Sequence, residues 1–215
     1  GGRPTGLRGG VRQGGSLMSE PERVVLVDER DVPRGASEKL RAHRDGELHR
    51  AFSVLVFDGR GRLLLQKRAA GKYHSGGLWS NTCCGHPRPG EPTVDAARRR
   101  LREEMDIDTT LRPLLTFRYR ADVGGGLTEN EYDHVLVGRY DAEPRPDPAE
   151  AEAWRWSALS GLRGEVGRDP DRFTRWLRIL LDRLPPDDAV LSELPDPAGS
   201  PGTAPAARRP GASGR

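Results

Sequence analysis

The chain has 215 residues, 34% of them hydrophobic, which suits one compact domain with leftover tails better than two domains. Its 35 basic and 32 acidic residues leave a formal charge of +3. That is too mild for the dense basic face that wholesale nucleic-acid binding needs. No apolar run approaches the roughly 18 residues of a membrane span, and the N-terminus lacks the apolar core of a signal peptide. No nucleic-acid or membrane partner is therefore expected, and the cytoplasm is the expected compartment. The only cysteines, Cys83 and Cys84, are adjacent. Neighbours in sequence rarely pair with each other, and a reducing compartment keeps thiols free.

Residues 1–20 begin Gly- and Arg-rich and read as a disordered extension. Met18 opens more ordinary sequence and marks an expected natural start. "RVVLVDERD" (23–31) predicts a first strand and turn, and "GASEKLRAH" (35–43) a short helical turn. "FSVLVFD" (52–58) and "RLLLQKR" (62–68) predict a hairpin across Gly59, Arg60 and Gly61. Val94, Ala97, Leu101 and Met105 recur at helical spacing over 93–105. Strands are expected at 116–122 and 130–141, around Gly124–Gly126, and again at 152–159. A last helix is expected over 169–184, where Phe173, Trp176, Leu177, Leu180, Leu181 and Leu184 form one stripe. The Pro-, Gly- and Ala-rich stretch 185–215 reads as a second disordered tail, leaving 21–184 as the folded domain. Strands, helix, strands, helix imply an α/β (α+β) fold with a mixed sheet sandwiched by helices.

From Gly85 the spacing runs through Glu91 to Arg99, Leu101, Glu103, Glu104 and Ile107. This resembles most of the Nudix signature, a loop and helix that present carboxylates to Mg²⁺ on a diphosphate, hard oxygen ligands for a hard ion. Without that resemblance, the helix reads as a solvated face with Arg99–Glu103 and Arg100–Glu104 pairs. Two positions depart from the signature. Arg100 replaces a metal-binding Glu and Asp106 replaces a Gly. Losing a carboxylate and gaining a cation argues against water-activating hydrolysis, while an Arg can still hold a diphosphate.

His43 and His49 lie six apart before a strand. Glu129 and Glu131 are two apart, so a strand turns both to one face. With His86 they make three imidazoles and two carboxylates, a set that suits an octahedral divalent metal. Taken singly each His reads as an ordinary surface or satisfied residue, and His74 and His134 join no pattern.

"HRAFS", "LWSNTCCGHP", the altered box, "FRYRAD" and "ENEYDHV" stand in the order and spacing of type I isopentenyl-diphosphate isomerases. The chain resembles that Nudix-type family over roughly residues 22–180. The resemblance implies that Cys84 is catalytic, with Glu131 as the second catalytic group and Tyr119 beside it. It implies a metal site of His43, His49, His86, Glu129 and Glu131, holding Mn²⁺ or another divalent ion. It implies Glu104 on Mg²⁺ with the substrate diphosphate, Lys39, Arg68, Lys72 and Arg100 around that diphosphate, and Trp176 in the pocket. Cys84 is assigned to the C2 proton and Glu131, through Tyr119, to the C4 proton. Cys83 is expected to pack. No exposed apolar stripe demands a second subunit, so a monomer is expected, and the implied partner is a small-molecule diphosphate substrate. Two rivals are a Nudix hydrolase of a nucleoside diphosphate derivative and a zinc-stabilised module using Cys83, Cys84 and His86. Paired Cys-x2-Cys spacing is missing for the second.

Overall fold

A computed structural model describes residues 21–196, so the expectations for 1–20 and 197–215 lie outside the described residues. The elements in order are β1 (Arg23–Val27), β2 (Pro33–Glu38), α1 (Lys39–Asp45), β3 (His49–Phe57), β4 (Arg62–Arg68), β5 (Trp79–Ser80), β6 (Cys83–Gly85), α2 (Thr93–Met105), β7 (Leu111–Gly124), β8 (Leu127–Arg139), β9 (Ala151–Ala158), α3 (Leu159–Arg168), α4 (Arg175–Arg183) and α5 (Asp187–Ser192).

β3 is the axis of the sheet. It pairs antiparallel with β1, β4 and β6, and in parallel with β8. Strand alternation splits its side chains between two cores. Phe52, Val54 and Val56 join Leu101 and Met105 of α2, while Leu55 and Phe57 join Leu177, Leu180 and Leu181 of α4. Helices therefore cover both faces of one mixed sheet, as the element pattern implies. Among the described residues no helix is long and apolar enough to cross a membrane.

The β3–β4 hairpin turns where Asp58 Oδ1 accepts the backbone N–H groups of Arg60 and Arg62 at 3.0 and 2.8 Å, and Gly61 takes φ 72°. α2 spans 93–105, as its periodicity predicts. It ends on Asp106 at φ 54°, the left-handed position where the Nudix signature has its Gly. Asp is among the few residues that enter that region readily, which accounts for the departure.

Two expectations need correction, and one helix was not expected. The last helix does not run from 169. Pro170–Arg172 is a 3₁₀ turn, Phe173 is extended and bridges to Trp79, and Thr174 caps α4 by accepting the Leu177 N–H. α3 was missed because Gly161, Gly164 and Gly167 lower its intrinsic propensity; burial of Leu159 and Leu162 forms it anyway. The tail does not begin at 185. α5 occupies 187–192, with Val190 fully buried and Leu191 against the β3–β4 turn. A chain ending at residue 186 should be less stable than one ending at 196 by roughly 2–4 kcal/mol, the value of burying one or two such side chains. Urea unfolding of the two chains measures it.

Candidate active site

Register builds the site. His49 on β3 lies opposite Glu131 on β8, and Glu131 lies opposite Tyr119 on β7. His43 comes from the last turn of α1, whose C-terminal Gly46 carbonyl accepts the Asn130 amide of β8 at 2.9 Å. His86 follows β6, whose Cys84 lies opposite Ser53 of β3.

The Nδ1 atoms of His43 and His49 donate to the carbonyls of Lys39 and Glu47 at 2.7 and 2.8 Å. A carbonyl can only accept, so in the neutral rings both Nε2 lone pairs are left for the cluster. His43 Nε2 lies 3.1 Å from Glu129 Oε2, His86 Nε2 lies 2.9 Å from Glu131 Oε1, and His49 Nε2 lies 3.7 Å from the same oxygen. Ligand atoms from His43, His49, His86, Glu129 and Glu131 all fall within 4.8 Å of one another, and all five residues are buried. His43 Nε2, His49 Nε2 and Glu129 Oε2 are close to neighbours but make no aligned hydrogen bond. Buried polar atoms left this way call for a partner, and the three-imidazole, two-carboxylate set fits a divalent metal ion. Burial, with His49 and Lys39 nearby, holds His86 well below the usual imidazole range. Burial works to raise Glu131, but contacts with His49, Glu129 and Tyr119 outweigh it and hold that carboxyl at about 2.

The adjacent pocket is lined by Cys84, Tyr119, Glu131 and Trp176 together with Lys39, Arg68, Lys72, Arg100 and Glu104. The two cysteines part company here. Cys83 is fully buried in the α2 core and Cys84 is half-buried on the pocket wall, as alternation along β6 requires. The segment before them is tied to the sheet by side-chain hydrogen bonds. Asn81 Nδ2 donates to the Cys83 carbonyl at 2.8 Å, and Thr82 Oγ1 donates to Leu64 O at 2.7 Å. A Cβ on Gly85 would sit 3.1 Å from Phe52 Cζ, a tight contact against a fully buried ring. Burial pushes the Cys84 thiol well above its usual range; Arg68 opposes this, and Glu104, Glu131 and Glu129 add to it. Tyr119 is pushed up too, by burial and by Glu131, and its hydroxyl donates to Glu131 Oε2 at 2.6 Å.

Trp176 is fixed by its indole N–H donating to Ser80 Oγ at 2.9 Å, with the Arg68 guanidinium 5.1 Å from its ring centre. Arg68 Nε is buried without a partner. Lys39 pairs with Glu22 at 3.0 Å. Arg100 bridges Glu103, Glu104 and Glu150 at 2.7, 2.8 and 3.2 Å, and Glu104 also accepts from Gln66 at 3.0 Å. The Arg100–Glu104 pair is thus present. Arg99 instead clasps Glu91 at 2.8 and 2.9 Å and stands 3.5 Å from Glu103.

Every sequence-predicted site residue lines the pocket or the cluster. Sequence reasoning missed His74, whose Nε2 lies 3.3 Å from Glu129 Oε1 and whose ring meets Trp176 edge-on. Burial drives His74 down to about 4. It also missed Glu150, which pairs with Lys72 and Arg100. Neither residue has a spacing that marks it. His134 does lie apart, 2.9 Å from Asp31. The zinc-module reading fails on geometry, since Cys83 faces the core and His86 faces the other histidines.

The NUDIX domain family matches residues 47–177. Isopentenyl-diphosphate Delta-isomerase 2 of Aromatoleum aromaticum is 53% identical over 163 residues, covering 76% of this chain and 86% of that protein. Isopentenyl-diphosphate Delta-isomerase of Burkholderia multivorans is 54% identical over 162 residues, covering 75% and 92%. Among solved structures, DR0079 from Deinococcus radiodurans shares the fold with a TM-score of 0.64 at 23% identity, over 75% of this chain and 98% of that one. Half of all positions shared across three quarters of its length, on a Nudix scaffold, mean that the chain belongs to the Nudix family and, within it, to the isopentenyl-diphosphate Delta-isomerases.

Proposed function

We propose that the chain interconverts isopentenyl diphosphate and dimethylallyl diphosphate, by protonation at C4 and deprotonation at C2 through a tertiary carbocation at C3, and so supplies isoprenoid biosynthesis. One observation carries the reading. Cys84 and the Tyr119–Glu131 pair line the same pocket as four cations suited to a diphosphate. An unactivated alkene is a poor base, so its proton donor must be held in place. The carbocation would be captured by water, so the pocket must be dry. Trp176, 5% exposed and locked by Ser80, offers an aromatic face, and desolvated cation–π contacts are worth about 2 kcal/mol.

In this reading Lys39, Arg68, Lys72 and Arg100 hold the diphosphate, and Glu104 meets it through Mg²⁺. His43, His49, His86, Glu129 and Glu131 hold Mn²⁺ or another divalent ion, which when bound would orient Glu131 and set its acidity. Burial pushes the Cys84 thiol up, while contacts hold the Glu131 carboxyl low and the Tyr119 hydroxyl donates to it. The Glu131–Tyr119 side protonates C4 and Cys84 takes the C2 proton, which must pass back before the next turnover; the reverse direction exchanges the roles. Hydrolysis is disfavoured because Arg100 stands where the Nudix signature has a metal-binding Glu, so α2 offers one carboxylate fewer to a water-activating metal and a cation in its place.

Incubation with isopentenyl diphosphate, Mg²⁺ and Mn²⁺ in D₂O should yield deuterated dimethylallyl diphosphate. A panel of nucleoside diphosphate derivatives should release no phosphate. Metal-loaded, folded protein that converts nothing in the first assay would overturn the reading.

A further inference from the structure

Glu150 occupies the cations that a diphosphate would need. Its carboxylate pairs with Lys72 Nζ and lies 3.2 Å from Arg100 Nη2, and it lines the same pocket. Arg100 has three carboxylate partners, and they differ in freedom. Glu104 is 6% exposed and also tied to Gln66. Glu103 is 43% exposed and lies outside the pocket lining. Glu150 is 20% exposed at the pocket, so its side chain can leave. Its backbone cannot. Glu150 N donates to Asp147 O at 2.9 Å, Ala69 N donates to Glu150 O at 3.0 Å, and Asp147 N donates to Glu104 O at 3.0 Å.

We propose that Glu150 is an internal counter-anion, which pairs with Lys72 and Arg100 and is displaced by the substrate's diphosphate. The proposal rests on the pocket's reading as a diphosphate site and deepens it. Binding is then an exchange of anions on a fixed backbone. An incoming anion must engage two cations at once and out-compete a carboxylate already within reach. A diphosphate offers two phosphoryl groups for this and an orthophosphate one, so Glu150 sharpens the choice between them. It acts through Lys72 and Arg100 and is a specificity-determining residue, not a catalytic one.

Calorimetric titration with inorganic diphosphate and with inorganic phosphate tests this on the parent, Glu150→Gln and Glu150→Ala, with melting temperatures as a folding check. Loss of the competing charge should tighten inorganic diphosphate about five- to tenfold, tighten phosphate by a larger factor, and lower KM for isopentenyl diphosphate without raising kcat. Binding no tighter than the parent's would overturn the proposal, because Glu150 would then only brace the two cations. The parent itself gives a second measurement. In crystals with inorganic diphosphate, the Glu150 carboxylate should have left Arg100, and a retained ion pair would overturn the idea. A parent that binds inorganic diphosphate but isomerises nothing would sink the isomerase reading alone. An isomerase whose Glu150→Gln form binds as the parent does would sink the exchange alone.

Discussion

Cys84→Ala should lower kcat by about 10²–10⁴-fold, the range a positioned acid–base group supplies, and leave the melting temperature within a degree or two. Cys83→Ala should do the opposite. The two thiols are adjacent in sequence but face different media. Cys84 is half-buried on the pocket wall, so removing its sulfur opens no core cavity. Cys83 is fully buried among Phe52, Leu101 and Met105. Its truncation leaves a small void, worth about 1 kcal/mol, and takes nothing from the site. The contrast is read by steady-state kinetics with isopentenyl diphosphate and by thermal melts on the same preparations. Equal kinetic losses from the two variants would remove the assignment, since the alternation along β6 would then carry no functional meaning.

Much of this was legible in the sequence because it is local. α2 follows from its apolar period, and the β3–β4 hairpin from Gly59–Gly61 between two apolar runs. Glu129 and Glu131 share a face because a strand repeats every two residues. What was not legible comes from distant pairing. Nothing near His49 says that it will lie beside Glu131, because that contact is made by the parallel β3–β8 ladder, 82 positions apart in the numbering. Parallel strands are joined by long crossovers, which leave no short-range signal. His74 and Glu150 were missed for the same reason: each sits in a connecting loop, and each meets its partners only once β4, β8 and β9 have assembled. α3 and α5 were missed because tertiary burial overrode weak propensity. The single-residue assignments of chemistry rested on the family resemblance, which spacing alone could not have supplied.

Glu131→Gln should be the most damaging change at the metal cluster, and for a reason that separates it from Glu129→Gln. Glu129 contacts His43 at 3.1 Å, within the cluster, and His74 at 3.3 Å, beside it. Glu131 faces both ways. One oxygen lies 2.9 Å from His86 and 3.7 Å from His49, and the other accepts the Tyr119 hydroxyl at 2.6 Å at the pocket. Both variants replace an anionic ligand by a neutral one of the same shape, so both should weaken metal retention by at least the roughly 10–100-fold seen when outer-shell partners are removed. Equilibrium dialysis against Mn²⁺ measures that loss without any turnover. The activities should then diverge. Glu129→Gln loses a ligand, and its activity should return as the metal concentration is raised. Glu131→Gln also loses the group that exchanges a proton with the substrate, and its kcat should stay about 10³-fold down at saturating metal. Recovery of Glu131→Gln under those conditions would reduce Glu131 to a ligand and leave Tyr119 as the group opposite Cys84.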